Sequence, residues 1–404
     1  MNKTFVRALA VAAVALLAAC SGGSTNQSLP AGTAGGAMAA SGTLGSATRP
    51  ACDYTPAPGY ARCFALIRTD VVPVLGVQYN VSGYGPADLQ SAYNLPSSTN
   101  GKGQTVGIVD AYDDPNAESD LQVYRSNFGL PACTSKNKCF TKVGQTGSKR
   151  KLPRPDPGWA GEISLDLDMV SAVCPKCRII LVEASTNRLE SLGKAVDRAI
   201  LMGANVVSNS YGGGGGGGGN VHFDHPGSVI TASSGDGGYR SSSPCDYTTV
   251  VCIGGTSLRK GGGSRGWSET AWGGAGSGCA HLVAKPAWQT DTGCKKRSEA
   301  DVSAVADPST GVATYDTYPY GGWGVTGGTS ASSPIIAAVY ALAGNAASQN
   351  YAANIWANGG TPGLNDVTSG RNGNCPPKFA YICDAGPGYD GPTGWGTPNG
   401  IAAF

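Results

Sequence analysis

Three short stretches of the sequence carry side chains that could act together on a carbonyl carbon. The first is Gly327-Gly328-Thr329-Ser330-Ala331-Ser332-Ser333-Pro334, which precedes an apolar helical run over 335–342. A serine at a glycine-rich turn opening a helix exposes its hydroxyl. Outward-facing N–H groups beside it can stabilise an oxyanion. Taken alone, Ser330 could equally belong to a serine-rich helix cap. The second stretch is Gly161-Glu162-Ile163-Ser164-Leu165-Asp166-Leu167-Asp168. Glu162 and Asp166 stand four residues apart, which places both carboxyls on one helical face. Ile163, Leu165, Leu167, Met169, Val170 and Val173 make that helix apolar nearly all round, so burial is expected. Two neighbouring carboxyls in a poorly solvated site cannot both ionise readily, and a shared proton results. Such a pair can take a proton from serine in acid. Its plainer alternative is a solvated Glu162 and a capping Asp166. Asp168 lies about 200° around the helix from Asp166 and is left out of the pair.

The third stretch is Ser233-Ser234-Gly235-Asp236-Gly237-Gly238, directly after an apolar run. A carboxylic acid kept protonated there can donate a hydrogen bond to a developing oxyanion. By itself Gly-Asp-Gly signals only a turn. A histidine base is not in view. His222 and His225 lie in Val221-His222-Phe223-Asp224-His225-Pro226, and His281 follows Cys279. Solvated or structural roles suit all three.

Gly-Thr-Ser-x-x-x-Pro resembles the nucleophile motif of the subtilisin clan, yet the His-Gly-Thr context of a histidine-based subtilisin is missing. In combination the motifs resemble the sedolisins, serine-carboxyl peptidases related to subtilisin. Further matching stretches are Ile108-Val109-Asp110-Ala111-Tyr112, Val206-Val207-Ser208-Asn209-Ser210-Tyr211-Gly212 and Gly254-Gly255-Thr256-Ser257-Leu258, all in family order from about Tyr84 onward. The resemblance implies Ser330 as nucleophile and Glu162 as its general base. Asp166 would orient Glu162 and hold the shared proton, with Asp236 stabilising the oxyanion beside the Ser330 N–H. Asp110 matches a strand-end aspartate of the clan and is left outside the catalytic set. The resemblance also implies one structural Ca²⁺ near the C-terminus. Asp366 and Asp390 would give carboxylate oxygens, and Val367, Gly386 and Gly388 backbone carbonyls. Hard oxygen donors on tight glycine turns suit that ion.

These residues need a scaffold, and the sequence supplies one. Short β-branched or aliphatic runs at 105–110, 178–183, 205–209, 228–233 and 249–253 alternate with helical stretches such as 161–173 and 189–202. That alternation predicts an α/β fold, a doubly wound and mostly parallel sheet with helices on both faces, as one large domain over 84–404. Sites in such folds gather at the carboxyl ends of the strands. Eight consecutive glycines at 212–219 follow one strand end and read as a loop. They fall where the family's substrate-binding strand and its following loop should sit, which leaves specificity open.

The remaining chain bears on location. Lys3, Arg7 and an apolar stretch over 8–19 read as a secretory signal, ending Leu17-Ala18-Ala19-Cys20. That ending resembles a bacterial lipobox, which implies lipid on Cys20 and a membrane anchor at the outer membrane or cell surface. An ordinary signal with a chance cysteine is the alternative. Residues 20–50 read as a low-complexity tether and 51–83 as a short N-terminal segment. About 60 residues between Cys20 and Tyr84 are few for the large folded prosegment usual in the family.

Thirteen cysteines become twelve without Cys20. They fall into neighbouring pairs: Cys52/Cys63, Cys133/Cys139, Cys174/Cys177, Cys245/Cys252, Cys279/Cys294 and Cys375/Cys383. In an exported protein six local disulfides are expected, although spacing does not prove connectivity. Cys174 and Cys177 form a lone CxxC, a weak basis for zinc.

Composition closes several other routes. A net charge of +2 and charged residues at 14% give no electrostatic footprint for nucleic acid. Few carboxylates also means little charge build-up in acid. The 62 glycines have no period of three, so a collagen-like chain is excluded. The resemblance implies an exported endopeptidase acting on polypeptide substrates at acidic pH, and a monomer is expected. The alternative from another class is a catalytically silent surface protein that binds peptide on the same fold.

Overall fold

Along the central strand Thr105–Ala111 the side chains alternate between two separate cores. In the computed structural model, which describes residues 47–404 except 79, 215–220 and 319, Val106 and Ile108 pack with the helices Pro157–Val173 and Thr329–Ala343. Val109 and Ala111 face the opposite way, toward the helix Leu189–Leu201. This period of two is what covering both faces of a sheet requires.

Across the sheet the strands run Trp267–Ala271, Val251–Lys260, Val229–Ser233, Val206–Asn209, Thr105–Ala111, Arg178–Ala184 and Phe140–Gly144. Val302–Val305 also pairs with Val251–Lys260. Every pairing is parallel except that of Trp267–Ala271, which is antiparallel. The fold is therefore the α/β, mostly parallel, helix-covered architecture that the sequence predicts.

Two elements extend further than expected. The helix carrying Glu162 starts at Pro157 rather than 161, because Asp156 caps it: its carboxylate accepts the N–H groups of Gly158 and Trp159 at 3.1 and 3.2 Å. The run at 249–253 is only the beginning of a ten-residue strand. Gly254 and Gly255 hide its continuation, and close packing requires them. A methyl group on Gly254 would fall 2.3 Å from the Pro392 carbonyl, and one on Gly255 2.5 Å from the Ala306 methyl.

A second, antiparallel sheet joins Thr48–Pro50, Leu66–Arg68, Gly322–Gly327 and Val312–Asp316 in that order. The last residues of the stretch read as a tether thus form an edge strand. Gly322–Gly327 feeds directly into the helix that carries Ser330.

Six disulfides join Cys52–Cys63, Cys133–Cys139, Cys174–Cys177, Cys245–Cys252, Cys279–Cys294 and Cys375–Cys383. Among the described residues no helix is long and apolar enough to cross a membrane. Cys20, the signal stretch and most of the glycine run lie outside the described residues.

Candidate active site

Ser330 is the second residue of its helix, after Gly328 at a backbone φ of +93°. Polar residues on one face of the sheet hold this first turn. The Ser208 and Thr231 hydroxyls each lie 3.0 Å from the Ser333 hydroxyl, and Ser233 donates to the Thr329 carbonyl at 2.9 Å. Each lies two residues from an apolar neighbour on the same face, Val206 before Ser208 and Val229 before Thr231. The Ser330 hydroxyl donates to the Ser210 carbonyl at 3.1 Å.

Glu162 and Asp166 lie on one face of a helix that is buried from Trp159 onward, and both are fully buried. Ser210 donates its hydroxyl to both Asp166 oxygens, at 2.7 and 2.9 Å. Glu162 accepts the Ala65 N–H on Oε2 at 2.8 Å, and its Oε1 has no hydrogen-bond partner among the described residues. The Ser330 hydroxyl bears on Glu162 as well, favouring its ionised form, although in this conformation its hydrogen bond goes to Ser210. Burial drives both carboxyls well above the usual range, and the negative charge of Asp110 adds to it.

Asp110 is a neighbour that sequence reasoning set aside. It is fully buried at the carboxyl end of the central strand, and both its oxygens lack partners among the described residues. Burial pushes it to about 8. The signal for it was available: Asp110 follows Ile108 by two residues and so faces the same helices. Ser210 was likewise quoted only as part of a matching stretch, yet it touches both Ser330 and Asp166.

Asp236 is held by Thr329, the residue before Ser330. Its Oδ1 accepts the Thr329 N–H at 2.8 Å and the Thr329 hydroxyl at 2.9 Å. Its Oδ2 is buried without a partner among the described residues, although the residue as a whole is half-buried. Burial raises its pKa to about 7 against the opposing pull of the Thr329 hydrogen bonds. Below that pH Oδ2 can carry a proton and act as a donor.

Ser330, Glu162, Asp166 and Asp236 thus come from three separate elements and meet within one network. Residues 156–358 match the model of the subtilase family. The chain belongs to the subtilase family. It is 28% identical to kumamolisin from Bacillus sp. (strain MN-32) over 363 residues, covering 79% of this chain and 63% of that protein. It is 27% identical to sedolisin from Pseudomonas sp. (strain 101) over 365 residues, covering 78% and 60%. It therefore spans less than two thirds of the length of either relative. The solved structure of Pseudomonas sedolisin, a serine-carboxyl proteinase complexed with two molecules of pseudo-iodotyrostatin, superposes with a TM-score of 0.65 at 25% identity. That match covers 79% of this chain and 96% of the other. A psychrophilic protease shares the fold with a TM-score of 0.50 at 16% identity, over 79% and 99%.

In this subtilase the histidines serve elsewhere. His222 and His225 both contact Asp197 on the helix Leu189–Leu201, at 2.5 and 2.9 Å, and His281 is exposed. The C-terminal loops bring Asp366 and Asp390 near one another. Asp366 accepts the Gly388 N–H at 2.9 Å, and Asp390 accepts the Gly386 N–H at 3.3 Å and the Thr393 N–H at 2.9 Å. Burial, with Asp366 as a minor contributor, pushes Asp390 to about 8. One further grouping places Cys245, Cys252 and Glu299 ligand atoms within 4.8 Å of one another. Its two sulfurs form a disulfide, which is no thiolate donor.

Proposed function

We propose that this subtilase is a serine-carboxyl endopeptidase, hydrolysing peptide bonds in polypeptides at acidic pH through an acyl-enzyme. The observation that carries the reading is that Ser330 acts on the buried Glu162, Ser210 links Ser330 to Asp166, and the neighbouring Thr329 holds Asp236, while His222 and His225 contact Asp197. Ser330 Oγ attacks the scissile carbonyl and Glu162 takes its proton, then delivers it to the leaving nitrogen. Asp166 is held by Ser210 and keeps the second proton of the pair. Protonated Asp236 and the Ser330 N–H stabilise the negative oxygen. Water then releases the acyl group by the same route.

Two carboxylates and glycine-turn carbonyls also form a donor set of hard oxygens, and the proximity of Asp366 to Asp390 suits a dication. Asp366, Asp390 and the carbonyls of Val367, Gly386 and Gly388 would hold Ca²⁺. The ion would pin two loops and take no part in the chemistry. The Leu17-Ala18-Ala19-Cys20 motif supports an exported protein anchored by lipid on Cys20.

A peptide assay from about pH 3 to 8 tests the reading. Cleavage in acid that Ser330→Ala abolishes supports it. Undiminished cleavage by Ser330→Ala, or an optimum above about pH 8, sinks it.

A further inference from the structure

A largely buried lysine that the peptidase reading does not use faces two carboxyls. Lys142 lies on Phe140–Gly144, the strand at one edge of the main sheet, and Glu183 on its neighbour Arg178–Ala184. Lys142 pairs with Leu181 and Gly144 with Glu183, so the Lys142 and Glu183 side chains stand on one face of the sheet. Asp113 follows the end of the central strand Thr105–Ala111 by two residues. The Lys142 ammonium touches Asp113 Oδ1 and the Asp114 carbonyl, and lies 3.2 Å from Glu183 Oε1. Side-chain exposure is 16% for Lys142, 11% for Asp113 and nil for Glu183. Glu183 Oε1 also accepts the Asp114 N–H at 3.2 Å, whereas Oε2 is buried without a partner among the described residues. Burial raises Glu183 to about 9, against the pull of Lys142 and with help from the Asp113 charge. A neutral Glu183 can hand protons between its two neighbours.

A salt bridge is one use of such a cluster, and an amide bond is another. Burying an ammonium and a carboxylate costs solvation that one neutral amide does not. The backbone also holds Asp113 in place: its N–H donates to the Arg154 carbonyl at 3.1 Å, and its carbonyl accepts the Asp156 N–H at 3.3 Å. Amine nitrogen and carboxyl carbon are thereby kept together, which stands in for a very high effective concentration. The slight exposure of Lys142 and Asp113 leaves a released water a way out.

We propose that Lys142 and Asp113 join in an intramolecular amide, with Glu183 as the proton carrier. The step needs no co-reactant. The ammonium first passes one proton to the Asp113 carboxylate, leaving a neutral amine and a neutral acid. Lys142 Nζ then bonds to Asp113 Cγ. Glu183 gives its proton to the departing hydroxyl and recovers one from nitrogen, so the C–O bond breaks and one water leaves. Burial disfavours the Lys142 ammonium, but the Glu183 and Asp113 charges outweigh it and hold the proton on nitrogen. The first transfer is therefore slow, and the bond forms as a maturation step after folding. It ties the sheet edge to Asp113, whose backbone clasps residues 154 and 156 just ahead of Pro157–Val173, the helix of Glu162 and Asp166. A salt bridge weakens as its carboxylate protonates in acid, whereas an amide has no charge to lose.

The test is a peptide map of the purified full chain, reduced, digested and read by mass spectrometry, with the intact mass measured alongside. The expected result is a branched peptide, stable to reduction, that joins the stretch containing Asp113 to the stretch containing Lys142. It weighs one water less than its two parts, and the intact chain shows the same loss. Lys142→Arg and Asp113→Ala should give linear peptides only. Asp113→Asn should still close, releasing ammonia instead of water and reaching the same product mass. Glu183→Gln should slow closure by about 10²-fold or more. Mass gain on reduction and alkylation counts the six disulfides and so reports that each chain has folded. A folded wild-type chain that yields linear peptides with a free Lys142 amine overturns the proposal and leaves a salt bridge. Closure as fast in Glu183→Gln as in the wild type overturns the role of Glu183. Neither readout depends on peptidase activity, so the inference stands or falls apart from that reading.

Discussion

Thr329 gives both its donors, the backbone N–H at 2.8 Å and the hydroxyl at 2.9 Å, to the same oxygen of Asp236. The other oxygen is left buried and unpartnered among the described residues, as the place for a proton. A carboxyl raised to about 7 keeps that proton in acid and loses it as pH rises through 7. Activity should fall over the same range. Asp236→Ala should lower kcat by about 10²- to 10³-fold, as expected for loss of one oxyanion donor. Asp236→Asn is more informative, since an amide donates at every pH. Its activity should be reduced but should lack the limb near 7. A kcat/KM profile that keeps that limb in Asp236→Asn would assign it to another group.

Three buried carboxyls, Glu162, Asp166 and Asp110, interact electrostatically near Ser330. Glu162→Gln removes the base and should cost about 10²- to 10⁴-fold in kcat. Asp110→Asn should leave the acid plateau of kcat within about threefold, because among the described residues neither Asp110 oxygen has a hydrogen-bond partner. It removes a negative charge that raises both Glu162 and Asp166. The pair then loses protons more easily, and its alkaline limb should move to lower pH. An unmoved limb would show that Asp110 is electrostatically silent.

Much of this arrangement was legible from residue spacing. The four-residue separation of Glu162 and Asp166 and the strand–helix alternation are local properties, and both appear in the structure. Asp110 was not selected because its importance depends on strand direction: only the Val106, Ile108, Asp110 alternation reveals which helices it faces. Residues 48–68 were less legible still. Their strands are two or three residues long and carry little pattern, and they exist through pairing with distant partners at 211–212 and 322–327. Gly254 and Gly255 interrupted an apolar run for reasons of packing against residues far along the chain.

Buried carboxyls both in the site and beyond it predict how stability depends on pH. Burial raises Asp110 to about 8, Asp114 to about 7 and Asp316 to about 8. In the unfolded chain such groups titrate near 4. The folded state therefore binds more protons between these values, and stability falls as pH rises. The contribution is complete below about pH 4 and is lost as pH passes 7 to 8. Thermal unfolding should show a Tm lower by roughly 5 °C or more at pH 8.5 than at pH 5. Asp316→Asn should flatten the curve. A Tm that rises steadily from pH 5 to 8.5 would contradict the burial argument.

The C-terminal loops give the last expectation, one of metal linkage. Asp366 and Asp390 sit near one another, each tied to a glycine N–H of the same turn. Burial, helped by the Asp366 charge, keeps the Asp390 proton in place up to about pH 8. A dication between the two carboxylates reverses the balance, since it favours the ionised form of both. Binding Ca²⁺ at pH 6 should therefore release a proton as well as stabilise the fold. At a hundredfold excess over its dissociation constant the ion should add about 2.7 kcal/mol. Calorimetry in two buffers of different ionisation enthalpy measures the proton, and Tm with chelator or Ca²⁺ measures the stability. Asp390→Asn should abolish both effects while leaving the six disulfides intact. An equal Tm with chelator and with Ca²⁺ would leave these loops as hydrogen-bonded turns without an ion.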